Sequence, residues 1–428
     1  MNVRRSLAIA APLVAVAAGI PAYVYAAPDG GSHKADNVAA TAAAAPNKGD
    51  FVLKRGASNS GIIKGLDKSL NKSGVQKLLK AANNKLGTHC SGARVPTKAV
   101  KYCWTKTDDN TGTWTPQGVT SVSDAMNNEK WGNSRYVMGV SWWAKSGARL
   151  TFVDLKNKKY RHVLLAYPTK TKTGKPNYND IRSHVGGIAW YGNYLYVAET
   201  RVGMRVFDMR KIFDLGASKH GTTKNKKLVG LHGKTYYGHG YRYVMPQVGL
   251  WKNAKGQAPS ASKCYTSGSP KFSWVSVDRS GWDSLVTGEY CPDNKPTGRM
   301  ATWQLVNGQP RTDAKGYAHA LAVSTLPVGR VQGGATSTRG GVDYGWFTHN
   351  IRTNEIGKGY PKACPKSGAL CGQLYNARWV VGSGWKVTSK PALGIGPEDL
   401  SCYRTQNRLY TVAEHRYKRA LYGVGANC

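Results

Sequence analysis

Gly186-Gly187-Ile188-Ala189-Trp190, followed by Tyr194-Leu195-Tyr196-Val197-Ala198-Glu199 and then Met204-Arg205-Val206-Phe207-Asp208, decides the reading of this chain. A small-residue turn opens an apolar stretch. A strand rich in β-branched and aromatic residues follows and ends on a polar side chain. A second such strand comes next. The same order recurs. Gln117-Gly118-Val119-Thr120 leads to Tyr136–Ser141 and Leu150–Asp154, and Phe272–Ser276 leads to Leu285–Glu289 and Met300–Trp303. Gln332–Thr336 leads to Tyr344–His349, and Pro397–Ser401 leads to Leu409–Glu414 and Leu421–Gly423. Long-period self-similarity built from strands points to an all-β fold, a β-propeller. Five repeats are legible. Their starts lie 69, 87, 59 and 65 residues apart. A blade takes about 40–50 residues, so the loops are long, and the widest gap has room for a further blade around Tyr241 to Leu250. Six or seven blades therefore stay open.

Outward from the repeats, the chain divides into four parts. Residues 1–26 read as a secretory signal peptide, with Arg4 and Arg5 ahead of an apolar run and Val24-Tyr25-Ala26 as a cleavage site. Residues 27–60 are rich in Ala, Gly, Ser, Asn and Lys and read as a disordered linker. Residues 61–89, with Leu66, Leu70, Leu78, Leu79 and Leu86 between lysines, suit short amphipathic helices. Residues 90–428 form the propeller. A strand over Lys98 to Trp104 is expected to return as the outer strand of the last blade and so remove its open edge.

Eight cysteines in an exported chain argue for four disulfides. Neighbour pairing gives Cys90–Cys103, Cys264–Cys291, Cys364–Cys371 and Cys402–Cys428. No Cys-x-x-Cys zinc spacing occurs.

Sixty-one Lys and Arg stand against 23 Asp and Glu, a net charge of +38. Such a field attracts polyanions, which outside a cell include anionic wall polymers. No nucleic-acid-binding module is present, and no second apolar run is long enough to cross a bilayer. A Gly-x-Ser-x-Gly elbow, a His-Glu-x-x-His zinc motif and a dinucleotide fingerprint are all missing.

Chemistry, if any, has one natural place. Residues before each inner strand and residues ending each second strand share one mouth of the channel, because the two strands are antiparallel. The first set holds Gln117, His184, Gln332, Glu398 and Asp399, and the second holds Ser141, Glu199, Glu289, His349 and Glu414. These ten are the candidate ligand-binding residues. Converging carboxylates suit Ca²⁺, the one cofactor the sequence suggests. A carboxylate pair also suits glycoside hydrolysis. Staples to arginine, with Glu199 near Arg201, Glu414 near Arg416 and His349 near Arg352, are the structural alternative. Trp190, Trp274 and Trp303 lie inside the strands and read as blade core.

Pro116–Thr120, Gly186–Trp190 and Gly396–Ser401, together with the signal peptide, resemble stretches of secreted actinobacterial β-propeller proteins, the group that includes the dispase autolysis-inducing proteins of streptomycetes. The resemblance implies seven blades and a non-enzymatic, wall-associated protein. It also implies binding to a secreted metalloprotease and cross-linking by transglutaminase. The glutamines in helix or loop stretches are Gln76, Gln117, Gln257 and Gln309. The sequence thus favours a secreted binding protein for an anionic cell-wall polymer or another secreted protein. The alternatives are a propeller glycoside hydrolase or lyase, and a Ca²⁺-dependent esterase or lactonase.

Overall fold

The computed structural model describes residues 45–428 except 91, 261–262, 293–295 and 352–370. The expected signal peptide, most of the expected linker, Arg352 and Cys364 lie outside the described residues. Five antiparallel blades are built from the rest. The first consists of Thr115–Ser121, Val137–Ala144, Gly147–Asp154 and Lys159–Lys170. The second consists of Val185–Tyr191, Tyr194–Glu199, Gly203–Asp208 and the outer strand Tyr243–Asn253. Trp274–Asp278, Ser284–Gly288, Arg299–Val306 and Ala322–Thr325 make the third. Val331–Arg339, Val342–Ile351, Cys371–Val380 and Gly384–Ser389 make the fourth. The fifth takes Ser401–Tyr403, Arg408–Ala413 and Ala420–Gly425 from the carboxyl end, and Val100–Cys103 from far upstream.

The expected closure is present. Leu421 pairs with Tyr102 and Tyr422 with Lys101, so the early strand completes the last blade. The seven blades implied by the resemblance are not found among the described residues. Among the described residues the wide second gap holds no extra blade. Tyr243–Asn253 is the fourth strand of the second blade, displaced in sequence by an insertion that carries the hairpin Val229–His232 and Thr235–Gly238. Its first half runs parallel to the outer strand of the first blade, Val244 beside Leu164, and joins two neighbouring blades at their rims.

The stretch assigned to the end of the linker is ordered. Val52–Arg55 pairs with Tyr243–Asn253 on one side and with Tyr317–His319 on the other. Phe51 and Leu53 are buried there, so an isolated apolar pair gains partners some 200 residues away in sequence. Helix Ser60–Ser69 sets Ile63, Leu66 and Leu70 against Leu164, Phe213 and Val244 on the rims of blades one and two. Helix Val75–Lys80 packs Val75, Leu78 and Leu79 against the first blade. Between blades the core is aromatic. Trp142, Trp190, Trp251, Trp274 and Trp303 are fully buried, each removing a large apolar area from water.

Cys90–Cys103, Cys264–Cys291 and Cys402–Cys428 are bridged as expected. The first holds the closing strand, and the third ties the inner strand of blade five to the carboxyl terminus. Closing a loop of about 15 residues stabilises a fold by about 3 kcal/mol. Replacing Cys90 and Cys103 together by serine should therefore lower stability by about 2–4 kcal/mol. An earlier urea midpoint at an unchanged slope is the expected reading, and an unchanged midpoint would show that strand pairing alone secures the closure.

Candidate functional site

The antiparallel registers bring the candidate residues to one mouth. Val185 faces Glu199, Gly118 faces Ser141, and Val331 faces His349. Trp274 faces Gly288, next to Glu289, and the Glu398 amide donates to the Val412 carbonyl, close to Glu414. Sharing a mouth does not give them a shared task.

Asp399 occupies the axis. Its Oδ2 accepts from the Ile188 amide at 2.8 Å and the Val119 amide at 3.3 Å, on the inner strands of blades two and one. A Cβ on Gly187 would lie 2.7 Å from Asp399 Cγ, and one on Gly333 would lie 2.5 Å from Asp399 Cα. The glycines that open the inner strands therefore make room for Asp399, and this end of the channel is filled. Burial pushes the Asp399 carboxyl well above the usual range, against the pull of the amides.

Glu398 and Glu414 are in carboxyl–carboxyl hydrogen-bond contact. Gln332 Nε2 donates to Glu398 Oε1 at 2.9 Å, and Gln117 Nε2 donates to Glu414 Oε2 at 3.5 Å. Burial and then the neighbouring Glu414 charge raise Glu398 strongly, and burial raises Glu414. Two buried carboxyls side by side cannot both ionise cheaply.

The remaining acids are tied to arginines. Glu199 meets Arg205 at 2.8 Å, and Glu289 accepts from Arg299 Nη2 at 2.8 Å, Arg299 Nε at 2.9 Å and the Lys271 amide at 3.1 Å. The sequence alternative named Arg201 and Arg416. Those two instead donate to the carbonyls of Ala258 and Asn110. Arg205 and Arg299 stand on the strand that follows each glutamate, and that offset was the signal available. Ser141 Oγ accepts from the Gly118 amide and donates to the Gly186 carbonyl. His349 is buried with Nδ1 2.8 Å from the Gly329 carbonyl. His184 is exposed, its ring 4.7 Å from that of Trp143.

Gln117, Gln332, Glu398, Asp399 and Glu414 thus come together, and Glu199, Glu289, His184 and His349 do not join them. The cluster does not fit the donor set that Ca²⁺ takes, which is a convergence of ionised and carbonyl oxygens. Its carboxyl oxygens are engaged by amide donors and by each other save Asp399 Oδ1, and one free oxygen falls short of the about 6–8 that Ca²⁺ takes. Among the described residues the one close grouping of metal-type side chains is Cys264, Glu289 and Cys291, and its two sulfurs are bonded to one another. A glycosidase pair needs a gap of about 5–5.5 Å or about 6.5–9.5 Å, whereas Glu398 and Glu414 touch.

A second buried acid was not anticipated. Asp124, at the other end of the inner strands, caps a short helix and accepts from Thr120 Oγ1, the Ser121 amide and Ser401 Oγ. Burial raises it to about 6. The Ser121-x-x-Asp124 capping box was its sequence signal.

An acid that holds its proton more tightly when folded stabilises the fold at low pH. The contribution is complete below the unfolded carboxyl pKa near 4 and is lost as pH climbs toward the raised folded value. Glu398→Gln keeps the shape and the hydrogen bonds without the charge. It should be more stable than wild type near pH 8 and no more stable near pH 4. Urea unfolding at both pH values checks this, and an equal difference at both would mean that Glu398 titrates like a free glutamate.

No protein-family model matches this sequence, and no curated protein matches it. Among solved structures, a gluconolactonase from Xanthomonas campestris is similar at 10% identity and a TM-score of 0.32, over 80% of this chain and 97% of that one. The β-propeller domain of a Myceliophteria thermophila protein is similar at 8% identity and a TM-score of 0.28, over 77% and 99%. A luciferin-regenerating enzyme is similar at 9% identity and a TM-score of 0.32, over 73% and 91%.

Proposed function

We propose that this chain is a secreted, disulfide-braced β-propeller that binds anionic polymer at the cell surface through its outer faces. One observation carries the reading. The insertion in blade two opens a broad concavity lined by Lys219, Lys224, Lys226 and Lys227, with no acidic residue in its lining. The distribution of charge supports it. Ten of the buried residues are acids (Asp50, Asp108, Asp124, Glu129, Glu199, Asp208, Asp214, Glu289, Glu398 and Asp399) and five are Lys or Arg (Arg149, Lys271, Arg299, Arg330 and Arg419). Acids are spent inside more often than bases, so the solvent-facing surface is more positive than the composition alone states. Lys156, Lys158 and Lys159 add an exposed basic turn at the rim of blade one. The three disulfides suit an oxidising compartment, and no helix among the described residues is long and apolar enough to cross a membrane.

Replacing Lys224, Lys226 and Lys227 by alanine should weaken retention on isolated cell walls roughly tenfold at low salt, from three exposed charge contacts of about 0.5 kcal/mol each. Sedimentation of wild type and variant across a salt series reads this. Release as the screening length contracts from about 10 Å at 0.1 M toward about 3 Å at 1 M is expected. Salt-insensitive retention, or release of soluble sugar from the walls, would refute the reading.

A second reading follows the resemblance to wall-associated propellers that transglutaminase cross-links. Of the four glutamines, Gln117 is buried, Gln309 accepts from Trp251 Nε1, and Gln76, though exposed, sits in helix Val75–Lys80 with its amide donating to the Trp131 carbonyl, whereas Gln257 is exposed on a loop. Under that reading Gln257 is the acyl donor. Labelling by a fluorescent amine with transglutaminase should then be lost in Gln257→Asn.

A further inference from the structure

Blades three and four are packed at one end and parted at the other. Toward the filled mouth, Trp274, Met300, Val331 and Phe347 close the interface. Toward the opposite mouth the blades separate around a cleft of about 390 Å³. Its wall includes Trp282 from the first turn of blade three, and Trp379 and Trp385 from the outer hairpin of blade four. Asp278 and Asp343 also line it, and no lysine or arginine does. On a protein of net charge +38, a concave surface whose only charges are carboxylates selects against anionic ligands. The wall polymer of the proposed function is therefore not its occupant through phosphate or carboxylate groups.

The cleft has the amphipathic form that a sugar ring needs. Trp282 is 64% exposed, a large apolar plane left in water beside the opening. Trp379 and Trp385 meet edge to face at 5.4 Å, and Trp385 Nε1 donates across the blade boundary to Ser324 Oγ at 3.0 Å, which fixes the far wall. Asp278 is oriented by the Thr336 and Ser280 hydroxyls, each at 2.6 Å, and Asp343 Oδ1 accepts from Thr338 Oγ1 at 2.6 Å. Fixed carboxylates accept hydrogen bonds from vicinal hydroxyls, and indole faces take the apolar C–H face of a pyranose.

We propose that this inter-blade cleft is a binding site for an uncharged saccharide unit of a glycan. The ring stacks on Trp282, and its hydroxyls donate to Asp278 and Asp343. No bond is made or broken. The site is separate from the lysine concavity in blade two, so the protein engages a neutral glycan and an anionic polymer on different faces.

The test titrates the full mature chain with short N-acetylglucosamine oligosaccharides, short β-glucan oligosaccharides and choline, following tryptophan fluorescence. It is run at low salt and again at about 1 M, where screening acts within about 3 Å. Saturable binding of at least one neutral oligosaccharide is expected, unchanged by salt. That separates it from polymer retention through lysines, which salt abolishes, so either can fail alone. Trp282→Ala should weaken it roughly tenfold and Trp282→Tyr should restore most of it. Because Trp282 is exposed, neither change threatens the fold. Absence of binding by both oligosaccharide types at millimolar concentration, equal binding by Trp282→Ala, or a response to choline alone would overturn the proposal.

Discussion

The structure depends on one buried carboxyl. Asp399 stands where the inner strands converge, bonded to amides of two blades and pressed against glycines on a second and a fourth. The inner strands of blades two and four approach it so closely that only glycine fits, at Gly187 and Gly333. The cost is a buried acid whose Oδ1 has no hydrogen-bond partner. Burial pushes it toward its protonated form. Burial acts the same way on Glu398 and Glu414, reinforced at Glu398 by the Glu414 charge, and Asp124 at the far end is held by three hydroxyl or amide donors. The blades of a strongly basic chain thus meet around buried acids held by hydrogen bonds.

Arginine has the complementary role one shell out. Arg205 and Arg299 rise from the third strands to hold Glu199 and Glu289, and Arg149 holds Asp108 at 2.7 Å while Tyr160 donates to the same carboxyl at 2.5 Å. Arg279 reaches from blade three to the carbonyls of Asp124 and Ala125 in blade one's capping helix. The Arg205 and Arg299 pairs brace strands within one blade, whereas Arg279 joins two blades distant in sequence and fixes their relative positions. A planar fork with five donors suits that task, and a lysine would not serve equally. The division of labour shows in the burial: four of the five buried bases are arginines, and Lys271 is the fifth.

Much of this was legible in the chain. The alternation from Gly186 to Asp208 specifies a hairpin and a third strand by local pattern, and the same pattern located all five blades. The early strand near Tyr102 was legible because a propeller must hide its last edge. What local pattern cannot carry is distant partnership. Val52–Arg55 reads as linker because four residues hold too little apolar periodicity, and it becomes a strand only when Asn253 and Ala318 supply edges. The Tyr243–Asn253 strand reads as a possible new blade because an insertion separates it from its own. At the mouth, the sequence could place Glu199 and Glu414 at one end. It could not tell which acid would find an arginine and which would find another acid, because that depends on side-chain reach across strands.

The filled hub also redirects the search for function. In an open propeller the channel mouth is the natural site, because loops from every blade converge there. Here most of the converging groups are engaged in holding the blades together. The two proposed sites lie on surfaces that the closure of the ring does not need: the insertion that blade two adds outside its sheet, and the cleft where blades three and four part. Both lie away from the axis, and their chemistries are opposite, lysine in one and tryptophan with carboxylate in the other. A rigid ring that separates two such faces can hold two unlike polymers at once without either site having to move.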